Sequence, residues 1–385
     1  MSGLSTRAPI PSTERATSWT AEQVAAIDRS PLPVAPVIGP NDFRRISPDL
    51  DVWDAWPLQE LGGAPANLPG GSTLWMALAA PRFPDPDERH AHARIHLVQR
   101  IDQSWRHLGP AMPEQFSPGS REWSGSAVLD RDTNEVVLYF TAAGRRGEST
   151  ITFEQRIFSA RARLELSGGA PHLSGWRDLA EIVERDPAYY MSGDDGLGSV
   201  GTIKAFRDPA FFHDPADGAN YLLFAGSAAG SQSDYNGVVG LAREGDISLS
   251  GWEVLPPLIS ADGLNNELER PHVLVTSGSY YLFWSTQAHV FNPHGPVGPT
   301  GLYGMTADGI TGPWRPLNGS GLVFANPQAA PQQAYSWLVM PDLSVISFVD
   351  NWRVEGQPGH RRRFGGSFAP SLRLTLDRES ARLEL

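Results

Sequence analysis

Five times along this chain of 385 residues, a polar or aromatic motif opens a short apolar run, which a turn connects to a second run. The first runs open at positions 53, 123, 207, 269 and 335, so successive openings are 70, 84, 62 and 66 residues apart. Long helical periods are scarce, and 39 glycines and 33 prolines punctuate the apolar runs. This texture is typical of many strands joined by turns, and it predicts an all-β chain.

Repetition of one unit with loops of variable length indicates blades around an axis. We therefore predict a single five-bladed β-propeller with a central funnel over residues 37–385, preceded by an N-terminal arm over residues 1–36. A β-sandwich of ordinary hairpins is the alternative, and it would bring none of the openings together. The five paired runs are WDAWPLQ (53–59) with STLWMALAA (72–80), WSGSAVLD (123–130) with VVLYFTA (136–142), RDPAFFHD (207–214) with YLLFAGS (221–227), ERPHVLV (269–275) with YYLFWST (280–286), and YSWLVM (335–340) with VISFVDN (345–351).

The arm contains one predicted helix, in TAEQVAAID at residues 20–28. Thr20 is a favourable N-cap and Gln23 follows three residues later, which is the pattern of a capping box. The first residues contain no apolar core of a signal peptide. The chain has no apolar run near the ~20 residues that span a bilayer.

Charge and cysteine content exclude several classes of function. Acidic residues number 43 and basic residues 31, which gives a formal net charge of −12. This balance argues against nucleic acid or an anionic membrane as a partner. The chain has no cysteine, so disulfides and thiolate chemistry are excluded.

Carboxylates stand at three of the five openings, namely Asp54, Asp208 and the pair Glu267 and Glu269. If the openings share one channel, like charges and burial push the pKa values of these acids apart. One carboxylate can then act as a nucleophile while another keeps its proton as a general acid, as retaining glycoside hydrolysis requires with the two groups about 5–5.5 Å apart. A third acid can stabilise the positive charge that develops on the sugar.

The residues beside these acids suit a sugar ligand, because aromatic rings stack on the C–H faces of sugars while charged groups bind hydroxyls. Trp53, Trp123 and Arg207 provide both, and Arg207 is expected to hold Asp208 ionised. Each motif also has a plain structural interpretation: an Asp beside a Trp is often a solvated turn residue, and Arg-Asp-Pro is often a turn at a strand edge. RDPA occurs twice, at 185–188 and 207–210, and we assign the first copy to a structural turn.

At these positions the chain resembles the bacterial levansucrase, inulosucrase and β-fructofuranosidase family of glycoside hydrolases. The resemblance implies a single five-bladed propeller that cleaves sucrose and passes the fructosyl unit to water or to another sugar. The matching segments are VWDAWPLQ (52–59), EWSGSA (122–127), FRDP (206–209), ELERPH (267–272), PLNGSGLV (316–323) and YSW (335–337).

The resemblance implies a role for each site residue. Asp54 corresponds to the nucleophile, Glu269 to the general acid/base and Asp208 to the stabiliser of the transition state. The implied substrate-binding set comprises Trp53, Trp123, Ser124 and Arg207 on the fructosyl side, Glu267 and Tyr335 on the glucosyl side, and Arg270 and Gln287. Sucrose and small sugar acceptors are the implied partners, and the implied location is extracellular.

Two departures from the family pattern refine these expectations. The calcium-binding members have an Asp six residues before the Asp of Arg-Asp-Pro; here that residue is Thr202, so we expect no metal and no cofactor. Family members place an Arg or His near the glucosyl site, where this chain has Gln287, with His289 two residues further on. A neutral Gln favours hydrolysis and short transfer products, as in a β-fructofuranosidase with transfructosylation activity. A levansucrase that makes levan polymer, a non-catalytic sugar-binding propeller and acids that bind a structural divalent cation are the alternatives.

Overall fold

Antiparallel strands dominate the structure, a computed structural model that describes residues 16–28, 31–191, 202–245, 251–352 and 363–384. Helical structure in these ranges is confined to one α-helix, α1 (Ala21–Ala25), and to short 3-10 helices at Pro86–Ala91, Ala288–Val290 and Leu317–Gly319. The all-β prediction is therefore confirmed. Within the same ranges, no helix has the length and apolar character needed to cross a bilayer.

The strands form five successive antiparallel units, and the ten predicted runs are the first two strands of each unit. In unit 3 the short strand β1 (Thr17–Ser18) pairs in parallel with the last strand, and in unit 4 two short strands both pair with the third strand. The units are unit 1, β2 (Leu50–Gln59), β3 (Thr73–Pro81), β4 (Arg94–Ile101) and β5 (Ser104–Pro110); unit 2, β6 (Arg121–Asp130), β7 (Glu135–Ala143), β8 (Gln155–Ser167) and β9 (Ala170–Val183); unit 3, β10 (Phe206–His213), β11 (Asn220–Ser227), β12 (Gly237–Glu244) and β13 (Trp252–Ser260); unit 4, β14 (Glu269–Thr276), β15 (Ser279–Thr286), β16 (Gly301–Ala307), β17 (Arg315–Pro316) and β18 (Leu322–Ala325); and unit 5, β19 (Ala334–Val339), β20 (Ser344–Val349), β21 (Leu372–Asp377) and β22 (Ser380–Glu384).

The first strands of the five units contact one another in a closed circuit. β2 contacts β6, β6 contacts β10, β10 contacts β14, β14 contacts β19, and β19 contacts β2. Two parallel bridges, Leu58 with Ala127 and Gln59 with Val128, join units 1 and 2 into one eight-stranded sheet. The five sequence openings therefore lie close together in space. A sandwich of independent hairpins would not bring them together.

Each first strand has a β-bulge close to its start. The pairing register shifts between Trp53 and Ala55, Trp123 and Gly125, Arg207 and Ala210, Glu269 and His272, and Tyr335 and Leu338. Four residues at these shifts have positive φ angles, namely Asp54 (20°), Asp208 (63°), Arg270 (49°) and Ser336 (60°). A bulge adds a residue and redirects its side chain, so two consecutive side chains can face one side where a regular strand would send them to opposite sides.

The Arg-Asp-Pro motif at 207–209 is part of this arrangement. A residue before proline normally adopts an extended conformation, yet Asp208 has a φ of 63° inside β10. Proline has no N–H to offer to the ladder, so Pro209 is tolerated where the bulge interrupts the pairing. The first RDPA copy is different, because Asp186 accepts a hydrogen bond from the Ala188 N–H (2.8 Å) in a local turn. The MSGDDGLG segment that follows it lies, after Met191, outside the described residues.

The N-terminal arm is attached to units 3 and 4 through Trp19. Helix α1 has the predicted capping box, in which Thr20 accepts from the Gln23 N–H (3.4 Å) and Gln23 accepts from the Thr20 N–H (3.0 Å). The helix ends at Ala25, earlier than predicted, because the Ile27 N–H turns back to the Val24 carbonyl and tightens the last turn. Trp19 is buried against unit 4, and its indole N–H donates to the Ser320 carbonyl (3.0 Å).

We expect Trp19→Ala to lower the free energy of unfolding by about 3–5 kcal/mol, because the ring is fully buried and leaves a cavity. The ring packs edge-on or tilted against Trp284, Phe291 and Tyr303 at centroid distances of 5.0–5.6 Å. Denaturant titration followed by tryptophan fluorescence and circular dichroism measures the change. Val37→Ala, at an exposed position directly after the arm, is the matched control, and equal small losses in both variants would contradict a structural role for the arm.

Candidate active site

A cavity of about 410 Å³ opens where the five bulges meet. Both residues of every bulge pair line it, so consecutive side chains of all five first strands face the same space. The pairs are Trp53 and Asp54, Trp123 and Ser124, Arg207 and Asp208, Glu269 and Arg270, and Tyr335 and Ser336.

All eleven residues assigned from the sequence to the site line this one cavity, although they come from five separate parts of the chain. Glu267 and Gln287 complete the set outside the bulges. Glu267 precedes β14 and still faces the cavity together with Glu269. The structure thus brings every predicted site residue together; it does not by itself assign their roles.

Asp54 is held by a neighbour from unit 2. The Ser124 hydroxyl donates to Asp54 Oδ2 at 2.7 Å. Trp53 beside it is only 2% exposed. This bond fixes one carboxylate oxygen of Asp54. The bulge in β2, and not a loop, directs the carboxyl group towards the cavity.

Glu269 is oriented from two sides. Arg207 donates to Glu269 Oε1 at 2.7 Å, and the Tyr335 hydroxyl donates to Glu269 Oε2. Burial, followed by the charge of Glu269, raises the pKa of Tyr335 well above its usual value, so the phenol keeps its proton. The two donors come from units 3 and 5, so Glu269 is fixed by the closure of the circuit.

Asp208 is the most enclosed carboxyl group of the site. Its backbone N–H donates to Thr141 Oγ1 (2.9 Å), and Oδ2 accepts from the Arg270 N–H (3.3 Å). Burial raises the pKa of Asp208 to about 7; Arg207 and Arg270 lower it, while the charges of Glu269 and Asp54 raise it further. The expectation that Arg207 holds Asp208 ionised is therefore wrong, because burial outweighs the guanidinium, which lies 3.8 Å from Asp208 and makes its short contact with Glu269.

Glu267 shares the same guanidinium at a longer distance, 3.7 Å from Arg207. Burial and the nearby charge of Glu269 raise the pKa of Glu267 to about 7, and Arg207 opposes this shift. Its backbone is fixed by the Asn265 side chain, which accepts from the Glu267 N–H at 2.8 Å. One arginine thus lies among three carboxyl groups, Asp208, Glu267 and Glu269.

Arg270, which the sequence assigned to substrate binding, lines the cavity and also joins neighbouring units. Its guanidinium donates to Ser336 Oγ (2.8 Å) and to the Ala55 carbonyl (2.7 Å), and it lies 5.9 Å from the ring of Trp56. Its carbonyl accepts from Nδ1 of the buried His272 (2.9 Å). These contacts join units 4, 5 and 1 beneath the three carboxyl groups.

Both candidates for the usual Arg or His position line the cavity wall. Gln287 precedes the 3-10 helix Ala288–Val290, and His289 lies within it. The sequence comparison treated Gln287 and His289 as alternatives for one position. A 3-10 turn brings residues that are two apart in sequence to the same region, so both can line the cavity. The cavity wall therefore contains a neutral amide and an imidazole together.

Several lining residues were missed by the sequence analysis. The 3-10 helix Pro86–Ala91 contributes Asp87, Arg89 and His90, and the guanidinium of Arg89 lies 4.0 Å from the ring of Phe364. Asp85 followed by Pro86 is a helix-start signal that could have marked this segment. Residues with no comparable signal include Leu78, Phe153, Ile203, Phe348 and Asp350.

In the part of the chain that the structure describes, no three His, Cys, Asp or Glu side chains are grouped as metal ligands. The cavity acids instead have cationic or hydrogen-bonding neighbours, Arg207 and Arg270 above all.

Comparison with known proteins identifies the group to which this site belongs. The family model described as Levansucrase/Invertase matches residues 10–236 and 232–385. A levansucrase of Pseudomonas savastanoi pv. glycinea (LscA) is 33% identical over 403 residues, covering 94% of this chain and 92% of the relative. The inulosucrase from Halalkalicoccus jeotgali, solved with kestose bound, superposes with a TM-score of 0.87 at 35% identity, covering 96% and 95% of the two chains. The catalytic domain of the Microbacterium saccharophilum K-1 β-fructofuranosidase superposes with a TM-score of 0.84 at 26% identity, covering 98% and 92%.

We expect Asp208→Asn to stabilise the protein at neutral and alkaline pH. The folded chain holds a proton on Asp208 up to about pH 7, whereas an unfolded Asp loses it near pH ~3.9. The free energy of unfolding of the wild type therefore falls, from this group, as pH rises from about 4 to about 7, and then levels off. The variant has no carboxyl group to ionise at this position. Its free energy of unfolding should therefore exceed that of the wild type by on the order of 1–4 kcal/mol above neutral pH, and the difference should be close to zero near pH ~4.

Unfolding curves of both proteins across this pH range measure the difference. Asp132→Asn, which removes an exposed turn carboxylate, is the control for a general effect of lost negative charge. A constant difference between the Asp208→Asn variant and the wild type at all pH values would contradict the raised pKa.

Proposed function

Because the chain belongs to the levansucrase/invertase family, we propose that it is a retaining glycoside hydrolase that cleaves sucrose and transfers the fructosyl unit to water or to a short sugar acceptor. The observation that carries this proposal is the convergence of Asp54, Asp208 and Glu269, from three different units, on one cavity. Each has different hydrogen-bond donors, and three carboxyl groups with different environments can take three different roles.

The first step forms a covalent intermediate. Glu269 gives its proton to the glycosidic oxygen while Asp54 attacks the anomeric carbon of the fructosyl unit, and glucose leaves. Ser124 fixes Oδ2 of Asp54 and leaves the other oxygen for the attack. The developing positive charge on the sugar lies among carboxyl groups, and Asp208 is assigned to stabilise it.

The second step releases the fructosyl unit. Glu269, now ionised, removes a proton from water or from an acceptor hydroxyl, whose oxygen attacks the anomeric carbon and displaces Asp54. Arg207 orients Glu269 through a contact of 2.7 Å, and Glu267 lies 3.7 Å from the same guanidinium. The general acid and the general base are thus the same group in two charge states.

The remaining lining residues position the two sugars. We assign Trp53, Trp123, Ser124 and Arg207 to the fructosyl side, deep in the cavity, and Glu267, Gln287 and Tyr335 to the glucosyl side. Arg270 is assigned to the floor, where it holds the strands and not the substrate, since its two terminal nitrogens already donate to Ser336 and Ala55.

We further propose that the five units surround a common axis as the blades of a single five-bladed β-propeller, with the N-terminal arm outside it. The closed circuit of contacts among β2, β6, β10, β14 and β19 supports this arrangement. The site then lies at one end of the central channel. Action outside the cell is part of the same proposal and follows from the family resemblance.

A polymer-forming levansucrase is the second candidate for the activity. The name of the Pseudomonas relative favours it, and so does His289, which shares the cavity wall with Gln287. We favour hydrolysis with short transfer products because Gln287 is neutral. A product profile separates the two, since only a levansucrase converts most of the fructosyl units into long polymer.

We expect the purified wild type to release glucose from sucrose and Asp54→Asn to lower turnover by at least about 10³-fold, because the amide cannot form the ester intermediate. Glucose is measured with a coupled assay, and sucrose binding to the variant by calorimetry. Asp132→Asn is the control for the loss of a carboxylate elsewhere. Wild-type protein that binds sucrose without releasing glucose would support the non-catalytic sugar-binding alternative and overturn the proposed activity.

We expect Glu269→Gln to lose activity in a manner that depends on the leaving group. A substrate whose leaving group has a low pKa needs little protonation, so its rate should fall much less than that for sucrose. Rates for sucrose and for an activated aryl fructoside, compared in the wild type and the variant, measure the difference. The same loss for both substrates would argue against the general-acid role.

A further inference from the structure

Lys204 is the only lysine in a chain that has 31 basic residues, all the others being arginine. It stands two residues before the start of β10, at the entrance to the strand that contains Arg207 and Asp208. Its ammonium group donates to three oxygens: the Asp234 carbonyl, Asn236 Oδ1 (2.9 Å) and Asn266 Oδ1 (3.1 Å).

The asparagine acceptors are themselves fixed. Asn236 and Asn266 are fully buried. Their amide nitrogens donate to the Ala228 carbonyl (2.9 Å) and the Ile203 carbonyl (2.9 Å), which leaves both side-chain oxygens for the ammonium. An ammonium has three donors around one compact charge, whereas guanidinium is a planar fork. The three-oxygen cage therefore suits lysine and not the arginine that the chain uses elsewhere.

The cage connects two of the three segments that hold the site's acids. Asn266 immediately precedes Glu267, and Lys204 leads into Arg207 and Asp208. The Gln155 side chain donates to the Lys204 carbonyl (3.0 Å), and its Oε1 accepts from the Phe206 N–H (2.9 Å). The backbone at Lys204 and at the start of β10 is therefore fixed by one side chain. Burial lowers the pKa of Lys204, while the charges of Asp234 and Glu267 oppose this shift.

We propose that Lys204 is a positioning residue, a half-buried cation that fixes Glu267 and Glu269 relative to Arg207 and Asp208 for the reaction. Its kinetic consequences rest on the proposed function, but its effect on stability does not. Since the ammonium also lies near Glu267, it offsets part of the negative charge that the carboxyl groups bring together.

The test compares Lys204→Met, Lys204→Arg and the control Arg315→Gln, which neutralises an exposed basic residue far along the chain in unit 4. We expect Lys204→Met to lower the melting temperature and to lower kcat for sucrose by at least about tenfold, with a smaller change in KM. The acidic limb of its pH–rate profile should move to higher pH, because a lost cation raises the pKa of nearby acids. Lys204→Arg keeps the charge, so it should lose stability while the pH profile stays in place.

A Lys204→Met protein with the wild-type melting temperature, kcat and pH profile would overturn the proposal. Wild-type protein that fails to cleave sucrose would instead overturn the proposed function, and the melting temperatures would still test the cage. If Lys204→Met does not fold, reductive methylation of the folded wild type serves instead, with sites located by mass spectrometry. A Lys204 that resists methylation while the terminal amine reacts supports the cage; full activity and unchanged stability after dimethylation of Lys204 contradict it.

Discussion

The interruption of strand pairing at the start of each unit is the constraint on which the site depends. A regular strand presents alternate side chains to one face, so it could offer either Trp53 or Asp54 to a central space, but not both. The bulges remove this restriction in all five first strands and bring ten side chains to one cavity. Chemistry that needs aromatic walls and carboxyl groups together is thereby built on strands, which are more rigid than loops.

Charge crowding follows from this convergence. Asp54, Asp208, Glu267 and Glu269 meet in a space that contains three arginines, and Arg207 alone lies within 3.8 Å of three of the acids. An enclosed carboxyl group resists ionisation, so the folded state near neutral pH retains protons that the unfolded chain would release. The enclosed carboxyl groups therefore lower the stability of the folded protein near neutral pH, as strained and charged active sites often do.

The sequence predicted the strand pairs, the capping box and eleven of the residues that line the cavity, because turn residues, periodicity and family motifs are local signals. It could not predict the bulges: nothing in Glu269-Arg270-Pro271 indicates a φ of 49° at an arginine, since that angle is imposed by contacts with units 5 and 1. Arg89 and the partners of Lys204 depend on distant segments, and residues such as Ala228 and Asn236 give no sign of such a role.

The circuit of units closes between unit 5 and unit 1, and among the described strands no ladder joins these two units. Isolated hydrogen bonds bridge the seam instead. The Val52 N–H of β2 donates to the Gly366 carbonyl (3.2 Å), and Arg45, just before β2, donates to the Gly365 carbonyl (2.7 Å). Arg270 reaches from unit 4 to both Ser336 and Ala55. Because Arg270 also lines the cavity, the contacts that close the ring and the candidate active site share a residue. A ligand that fills the centre would therefore also lock the ring, and resistance to proteolysis would rise with occupancy.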